Sequence, residues 1–370
     1  MQRMKSARET ETFYEQRYIK EQFLNSTQSH RRVGLIMTVR VAINGFGRIG
    51  RGFLRAVLTK KGFDIVATND LTTESTLAHL MKYDTVMGRF DGTVEAGKGS
   101  ITVNGDEIKV LSEKDPAKLP WKELDIDIVI ESTGLFTKRE DAEKHITAGA
   151  KKVIVSAPGK GEMLTIVPGV NEHDYDPAKH NVISNASCTT NCLAPMVKVV
   201  DEAFGIVQGF MTTVHAVTND QVMLDGPHKD LRRARAACWN IVPTSTGAAK
   251  AIGLVYPKAA GKLNGIALRV PVMDASIVDL NVVVEKPVDI DTVNGAFKKA
   301  SKQGSLAPYL AYVDEPLVSS DFINDPHSCS FDSLLTMTQG NMIKVLGWYD
   351  NEAGYSHRLA DLAHVIGKKM

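Results

Sequence analysis

A glycine-rich turn near the start of the chain constrains the fold more than any other feature. The β-branched run 39–43 leads into Gly45, Gly47 and Gly50, which form the pattern G-x-G-x-x-G. A helical pattern and a second strand-like run follow, and this run ends at Asp70, about 20 residues after the last glycine. Strand, glycine turn, helix, strand and acid in this order are typical of a dinucleotide-binding unit.

Each residue of this unit has a physical task. Gly45 permits a tight turn, Gly47 lets the backbone approach a pyrophosphate, and Gly50 lets the helix pack on the sheet. The helix N-terminus offers N–H donors to the anion. Asp70 is placed to bind a ribose diol, and its carboxylate would repel a 2′-phosphate, so the sequence favours NAD over NADP as the cofactor.

The strand pattern predicts an α/β protein of two domains. Up to residue 187, short apolar strands alternate with helices, which predicts a Rossmann-type doubly wound parallel sheet. From residue 188 onward longer β-type runs predict an α+β catalytic domain with a mainly antiparallel sheet. We expect a flexible N-terminal extension, an NAD-binding domain, a catalytic domain and a C-terminal helix that returns to the first domain, with the bounds 1–36, 37–187, 188–353 and 354–370.

Composition excludes several classes of function. The formal net charge of +1 over 370 residues, with both signs interspersed, argues against a nucleic-acid surface. No apolar stretch reaches the roughly 20 residues of a membrane span, so we expect a soluble, cytoplasmic protein without a membrane partner. Four cysteines without paired metal-type spacing predict free thiols in a reducing compartment and no metal site.

A thiol and an imidazole are the candidate reactive groups. Cys188 follows small polar residues and precedes a predicted helix, 193–204, whose N-terminus would favour a thiolate. His215 lies 27 residues further along the chain. Taken alone, this pair is more typical of a buried, unreactive cysteine near a core histidine.

Five separated blocks make the chain resemble a glyceraldehyde-3-phosphate dehydrogenase from about residue 38 to the C-terminus. The blocks are 42–51 (AINGFGRIGR), 184–195 (SNASCTTNCLAP), 230–235 (DLRRAR), 243–250 (PTSTGAAK) and 348–352 (WYDNE). The resemblance implies a homotetramer that oxidises a phosphorylated aldehyde with NAD and inorganic phosphate. It identifies Cys188 as the nucleophile and His215 as the general base.

The resemblance also implies the binding residues. Those for the substrate phosphate and inorganic phosphate are Ser187, Thr189, Thr218, Arg233, Thr246, Gly247 and Arg269. Those for the cofactor, besides the three glycines and Asp70, are Arg48, Ile49, Lys114, Ser156 and Asn351.

Two other functions fit the same motifs. An erythrose-4-phosphate dehydrogenase resembles this pattern in cysteine and fold but hydrolyses its thioester. An NAD-binding redox sensor would use a reactive Cys188 as a switch. The complete set of phosphate-binding positions favours the phosphorylating dehydrogenase.

Overall fold

A computed structural model describes residues 38–370, and the expected N-terminal extension, 1–36, lies outside the described residues. Within this range the chain forms two sheets, of nine and seven strands. The strands are β1 (Val39–Asn44), β2 (Phe63–Asn69), β3 (Val94–Ala96), β4 (Ser100–Val103), β5 (Asp106–Leu111), β6 (Ile128–Glu131), β7 (Lys152–Val155), β8 (Leu164–Thr165), β9 (Val182–Ser184), β10 (Ile206–Ala216), β11 (Val242–Ser245), β12 (Leu263–Val270), β13 (Ser276–Val284), β14 (Leu310–Val313), β15 (Cys329–Gln339) and β16 (Met342–Tyr349).

Eight α-helices are assigned among the described residues. They are α1 (Arg48–Leu58), α2 (Glu74–Lys82), α3 (Arg139–Ala142), α4 (Lys144–Thr147), α5 (Cys188–Phe204), α6 (Ala248–Val255), α7 (Ile290–Ala300) and α8 (Ala353–Lys369). None of the helices in residues 38–370 combines the length and the apolar character that crossing a membrane requires.

The first sheet is parallel at its centre and has the order β3-β4-β5-β2-β1-β6-β7-β9-β8. Strands β2, β1, β6, β7 and β9 pair in parallel, while β3 and β4 form an antiparallel edge. Central positions such as Val41, Ile43 and Ile130 are fully buried, as expected for parallel strands that are covered on both faces. The carboxyl ends of these strands therefore meet along one edge of the sheet.

The second sheet is mainly antiparallel and has the order β11-β12-β10-β13-β16-β15-β14. Alternate residues of β13, from Ser276 to Val284, are buried, which is the pattern of a strand with one face on a core. Helices α5, α6 and α7 cover that face. Together with the first sheet this architecture confirms the predicted fold class.

Helices α5 and α8 lie where the two sheets meet. Helix α5 carries Leu193, Met196 and Val200 into the core of the second sheet. Helix α8 packs against α1, and its apolar residues, including Leu359 and Ile366, belong to the core of the first sheet. The boundaries of the predicted domains remain proposals.

The three glycines of the turn meet different surroundings. Gly45 has φ +92°, and a Cβ there would lie 2.7 Å from the backbone nitrogen of Thr133. A Cβ on Gly50 would lie 2.2 Å from the carbonyl oxygen of Gly45, so this glycine is needed for close packing of helix and turn. A Cβ on Gly47 would meet no atom within 4 Å, so the space in front of this residue is open.

We therefore predict that Gly50→Ala lowers the free energy of unfolding by about 1–3 kcal/mol, because backbone atoms must move apart. The matched variant Gly47→Ala should change it by less than about 0.5 kcal/mol. Urea denaturation followed by far-UV circular dichroism measures both. Equal losses in the two variants would contradict this account of the turn.

Candidate active site

Cys188 is the first residue of helix α5. The hydroxyl of Ser187 caps this helix by accepting a hydrogen bond from the backbone N–H of Thr190 at 3.0 Å. The helix thus begins at Cys188 and not at residue 193 as the sequence pattern predicted, because the Ser187 hydroxyl, which precedes the apolar run, satisfies one of its first N–H groups. The thiol consequently lies in the first helical turn itself.

His215 lies on strand β10 and faces the thiol. Its Nε2 is 3.4 Å from Sγ of Cys188, which is within hydrogen-bond reach for sulfur. The partner strand β12 places Arg269 directly opposite His215 in parallel register. The pair thus joins the start of one helix to a strand 27 residues further along the chain.

The second ring nitrogen of His215 has two polar neighbours that act on its tautomer. Its Nδ1 lies 2.7 Å from the carbonyl oxygen of Ala216, which can accept the Nδ1 proton. In that tautomer the lone pair of Nε2 faces the thiol, as a base requires. Nη1 of Arg269 donates to the Ala216 oxygen at 2.9 Å and lies 2.5 Å from Nδ1. Because an arginine N–H can only donate, this second contact favours the other tautomer, with a bare Nδ1.

Burial controls the protonation of both reacting groups. It lowers the pKa of His215 to about 3, and the positive charge of Arg269 acts in the same direction. Burial also raises the pKa of the Cys188 thiol, while Arg269 and the backbone N–H and hydroxyl of Thr189 oppose that rise. The predicted effect of the helix start on the thiol is therefore present, but burial outweighs it, and the pair is a neutral thiol beside a neutral imidazole.

Tyr349 was missed by the sequence analysis and organises this pair. Its hydroxyl group bonds to the hydroxyls of Thr189 at 3.0 Å and Thr213 at 2.8 Å. Its ring stands edge-on to the ring of His215, at an interplanar angle of 79°. One buried phenol thus connects helix α5 to strand β10. The block 348–352 contains this residue, but no pattern in the sequence distinguishes the tyrosine from its neighbours as a functional residue.

The predicted anion-binding residues lie on different elements of the second sheet. Arg269 is next to His215, and its Nε–H is buried without an acceptor among the described residues. Arg233 donates to Asp220 at 2.6 Å and to the hydroxyl of Thr244 at 2.5 Å. Arg269 alone of this set contacts the ring of His215.

The remaining anion-binding candidates are hydroxyl groups and one glycine. Thr218 is exposed just after β10, and its N–H and hydroxyl both donate to Gln221. Thr246 and Gly247 precede helix α6, and the hydroxyl of Thr246 accepts from the N–H of Ala248. Ser187 and Thr189 flank Cys188, where they take part in the cap and in the Tyr349 network.

The glycine turn provides the backbone donors of the predicted cofactor site. Helix α1 begins at Arg48, and no side chain caps it. The N–H groups of its first residues, Arg48 and Ile49, are therefore available to an anion. The carboxylate of Asp70 accepts a hydrogen bond from the N–H of Phe46 at 2.9 Å, which sets it at the edge of the turn. Together with the open space in front of Gly47, these donors and this carboxylate fit a dinucleotide.

The other cofactor candidates lie at strand ends. Ser156 follows β7, and Lys114 is exposed a few residues after β5. The side chain of Arg48 binds Glu352 and, at 2.5 Å, Asp84, so only its backbone faces the turn. Asn351 is buried and accepts a hydrogen bond from the hydroxyl of Ser276 at 2.7 Å, which leaves its amide nitrogen to act as a donor.

The fold and the site define a class: a dehydrogenase that binds a dinucleotide on one domain and carries a thiol–imidazole pair on the other. Residues 39–139 match the family described as glyceraldehyde 3-phosphate dehydrogenase, NAD binding domain, and residues 187–351 match its C-terminal domain. The chain belongs to the glyceraldehyde-3-phosphate dehydrogenase family.

Curated relatives agree with this assignment over their whole length. Glyceraldehyde-3-phosphate dehydrogenase 2 of Streptomyces avermitilis is 61% identical over 336 residues, covering 90% of this chain and 100% of the relative. The enzyme of Geobacillus stearothermophilus is 59% identical over 334 residues, covering 90% and 99%. Glyceraldehyde-3-phosphate dehydrogenase 1 of Bacillus subtilis is 56% identical, again covering 90% and 99%.

The predictions of family, NAD cofactor and NAD-dependent dehydrogenase activity are thereby confirmed. The roles of the individual site residues stay predictions, as do the domain boundaries, the tetramer and the cellular location.

Proposed function

We propose that this enzyme converts D-glyceraldehyde 3-phosphate, NAD and inorganic phosphate into 1,3-bisphosphoglycerate in glycolysis and gluconeogenesis, through a thioester on Cys188. The observation that carries the proposal is the 3.4 Å contact between Sγ of Cys188 and Nε2 of His215. With its proton on Nδ1, the neutral imidazole presents a bare Nε2 that can accept the thiol proton as the sulfur attacks.

The neutral pair allows a balanced sequence of proton transfers. Nε2 of His215 takes the proton of Cys188 as sulfur bonds to the aldehyde carbon, and it gives that proton to the carbonyl oxygen. The product is a hemithioacetal. NAD, when bound, supplies the acceptor for the hydride that leaves this carbon. His215 removes the hydroxyl proton at the same time, and a thioester on Cys188 remains.

Release of the product needs a second anion. An oxygen of inorganic phosphate attacks the thioester carbon, sulfur leaves as a thiolate, and the protonated ring of His215 returns its proton to the sulfur. A thioester retains the energy of oxidation for this transfer, which an oxygen ester on serine would not do to the same degree. The aldehyde carries a phosphate group and the second reactant is inorganic phosphate, so two anion sites beside the thiol are required.

Arg269 is the best supported of the proposed phosphate ligands. Its buried Nε–H has no acceptor among the described residues, and burial lowers its pKa, so an anion would relieve both costs. We assign the second anion to the hydroxyl groups of Thr189 and Thr246 and to Gly247, and we place Thr218, Arg233 and Ser187 around the two sites.

We assign the contacts to the cofactor to the glycine turn and to residues that follow two of the strands. Gly45, Gly47 and Gly50, with the N–H groups of Arg48 and Ile49, would hold the pyrophosphate, and Asp70 the adenosine ribose. Asn351 would donate its amide proton to the nicotinamide carboxamide. Lys114 and Ser156 complete the proposed contacts.

We further propose a cytoplasmic homotetramer. Large apolar side chains are exposed between β10 and β11, including Trp239 at 85% and Leu231 at 83% exposure. Such a surface is typical of a site that another subunit covers. The four free cysteines of the described chain suit a reducing compartment.

Turnover with and without inorganic phosphate tests the reaction. We expect sustained NADH formation from glyceraldehyde 3-phosphate only when phosphate is present, because the acyl group on Cys188 otherwise blocks the next cycle. A rate that ignores phosphate would contradict the proposal and favour the hydrolysing reaction of an erythrose-4-phosphate dehydrogenase. NAD binding without any turnover would favour the redox sensor.

We also predict that His215→Asn lowers kcat/KM by about 100- to 10,000-fold, because the variant loses a positioned base. The affinity for NAD should change little, and calorimetry measures it. The control His364→Asn, in the C-terminal helix α8, should leave turnover within about twofold. A loss smaller than tenfold in His215→Asn would remove this residue from the mechanism.

A further inference from the structure

Two buried carboxyl groups lie side by side next to the proposed nicotinamide-binding residue. Asp274 precedes β13 and Asp350 follows β16, and each is 1% exposed. The antiparallel pairing of Ser276 with Tyr349, and the hydrogen bond of Ser276 to Asn351, place the two residues side by side. Because burial and a neighbouring negative charge both disfavour ionisation of a carboxyl group, this arrangement favours one shared proton near neutral pH.

Hydrogen bonds decide which of the two groups holds the proton. Asp350 accepts three backbone N–H groups, those of Asn324 at 2.7 Å, Glu352 at 2.8 Å and Ala353 at 2.7 Å. Asp274 accepts one, from Ala275 at 2.8 Å, on Oδ1. Three donors stabilise an ionised carboxylate better than one. The proton therefore belongs on Oδ2 of Asp274, which is buried and receives no N–H or O–H donor in residues 38–370.

The charged groups around Asp274 strengthen this assignment. Burial raises the pKa of Asp350 as well, but its three backbone donors oppose that rise. Glu352, whose carboxylate binds Arg48, and the Cys188 thiol are the further titratable groups in range. No ion pair to Asp274 or Asp350 occurs within the described chain. Burial first, and then the carboxylates of Asp350 and Glu352, raise the pKa of Asp274 to about 8.

The shared proton lies within a short bridge that ends at Asn351. Segment 274–276 lies against segment 350–351: Asp274 is next to Asp350, and the hydroxyl of Ser276 donates to Oδ1 of Asn351 at 2.7 Å. The hydroxyl oxygen of Ser276 accepts the N–H of Ala216 at 3.1 Å, next to His215. The orientation of the Asn351 amide therefore depends on this bridge.

We propose that Asp274 is a positioning residue: its neutral carboxyl group donates a hydrogen bond to Asp350 and so holds Asn351 in the orientation that binds nicotinamide. The proposal rests on the cofactor role of Asn351 given above. When Asp274 ionises, two negative carboxylates face each other, segment 350–351 moves away, and the affinity for NAD falls.

The pH dependence of NAD binding tests the proposal, with calorimetry on the full-length chain in a Cys188→Ser background that removes the titration of the thiol. We expect the Kd for NAD to be constant below about pH 7 and to rise about tenfold by pH 9.5. Asp274→Asn has nearly the same shape and always donates an N–H, so its Kd should stay within about twofold over this range. An equal rise in both proteins, or no rise in either, would overturn the proposal.

Thermal stability gives a second measurement that does not involve NAD. A carboxyl group whose pKa is higher in the folded state than in the unfolded state lowers stability as pH rises between the two values, from about 4 to about 8. Asp274→Asn has no ionisable group at this position, so its stability does not fall with pH for this reason. Its Tm should therefore exceed that of the parent by a margin that widens from pH 5 to pH 8 and then stays constant.

If the difference in Tm between Asp274→Asn and the parent does not change with pH, the proposal that Asp274 and Asp350 share a proton is wrong. The variant Asn351→Ala separates the two assignments: unchanged NAD affinity would overturn the cofactor role of Asn351 and the predicted effect on NAD, whereas the Tm margin would still report the proton on Asp274.

Discussion

The contact between the sulfur of Cys188 and Nε2 of His215 is the interaction on which the proposed function depends. It is made inside the protein, where burial disfavours a charge on either group. The pair is therefore held as thiol and imidazole, and charge arises when a substrate carbon is there to receive the sulfur. Arg269 supplies the permanent positive charge beside them, which suits an active site for phosphorylated reactants.

The architecture brings these groups together from distant parts of the chain. Helix α5 starts at the thiol and its apolar face belongs to the core of the second sheet, so the position of Cys188 is fixed by packing. Strand β10 presents His215, and the Tyr349 hydroxyl joins the helix to that strand. The same segment, 349–352, carries Asn351 and then Glu352, which binds Arg48 at the start of α1. The proposed nicotinamide end and pyrophosphate end of the cofactor site are thus linked through the protein.

The features that could be predicted from the sequence are those determined by interactions between residues close together in the chain. The glycine turn, the acid after β2 and the alternation of strands and helices follow from backbone sterics and hydrophobic periodicity, and they gave the correct fold class. The start of α5 was placed too late because its cap is made by polar residues that lack helical periodicity. Tyr349 and the Asp274–Asp350 pair could not be predicted from local patterns. The partners of the tyrosine are 136 or more residues away, and the two acids lie next to the ends of two separate strands.

Mass spectrometry of the acyl-enzyme tests the central claim most directly. Rapid quenching of the enzyme with NAD and glyceraldehyde 3-phosphate, without inorganic phosphate, should give one acyl group on the peptide that contains Cys188 for each NADH formed in the first turnover. The adduct should be absent from Cys188→Ser and should disappear when phosphate is added. Formation of NADH while Cys188 stays unmodified would contradict the account.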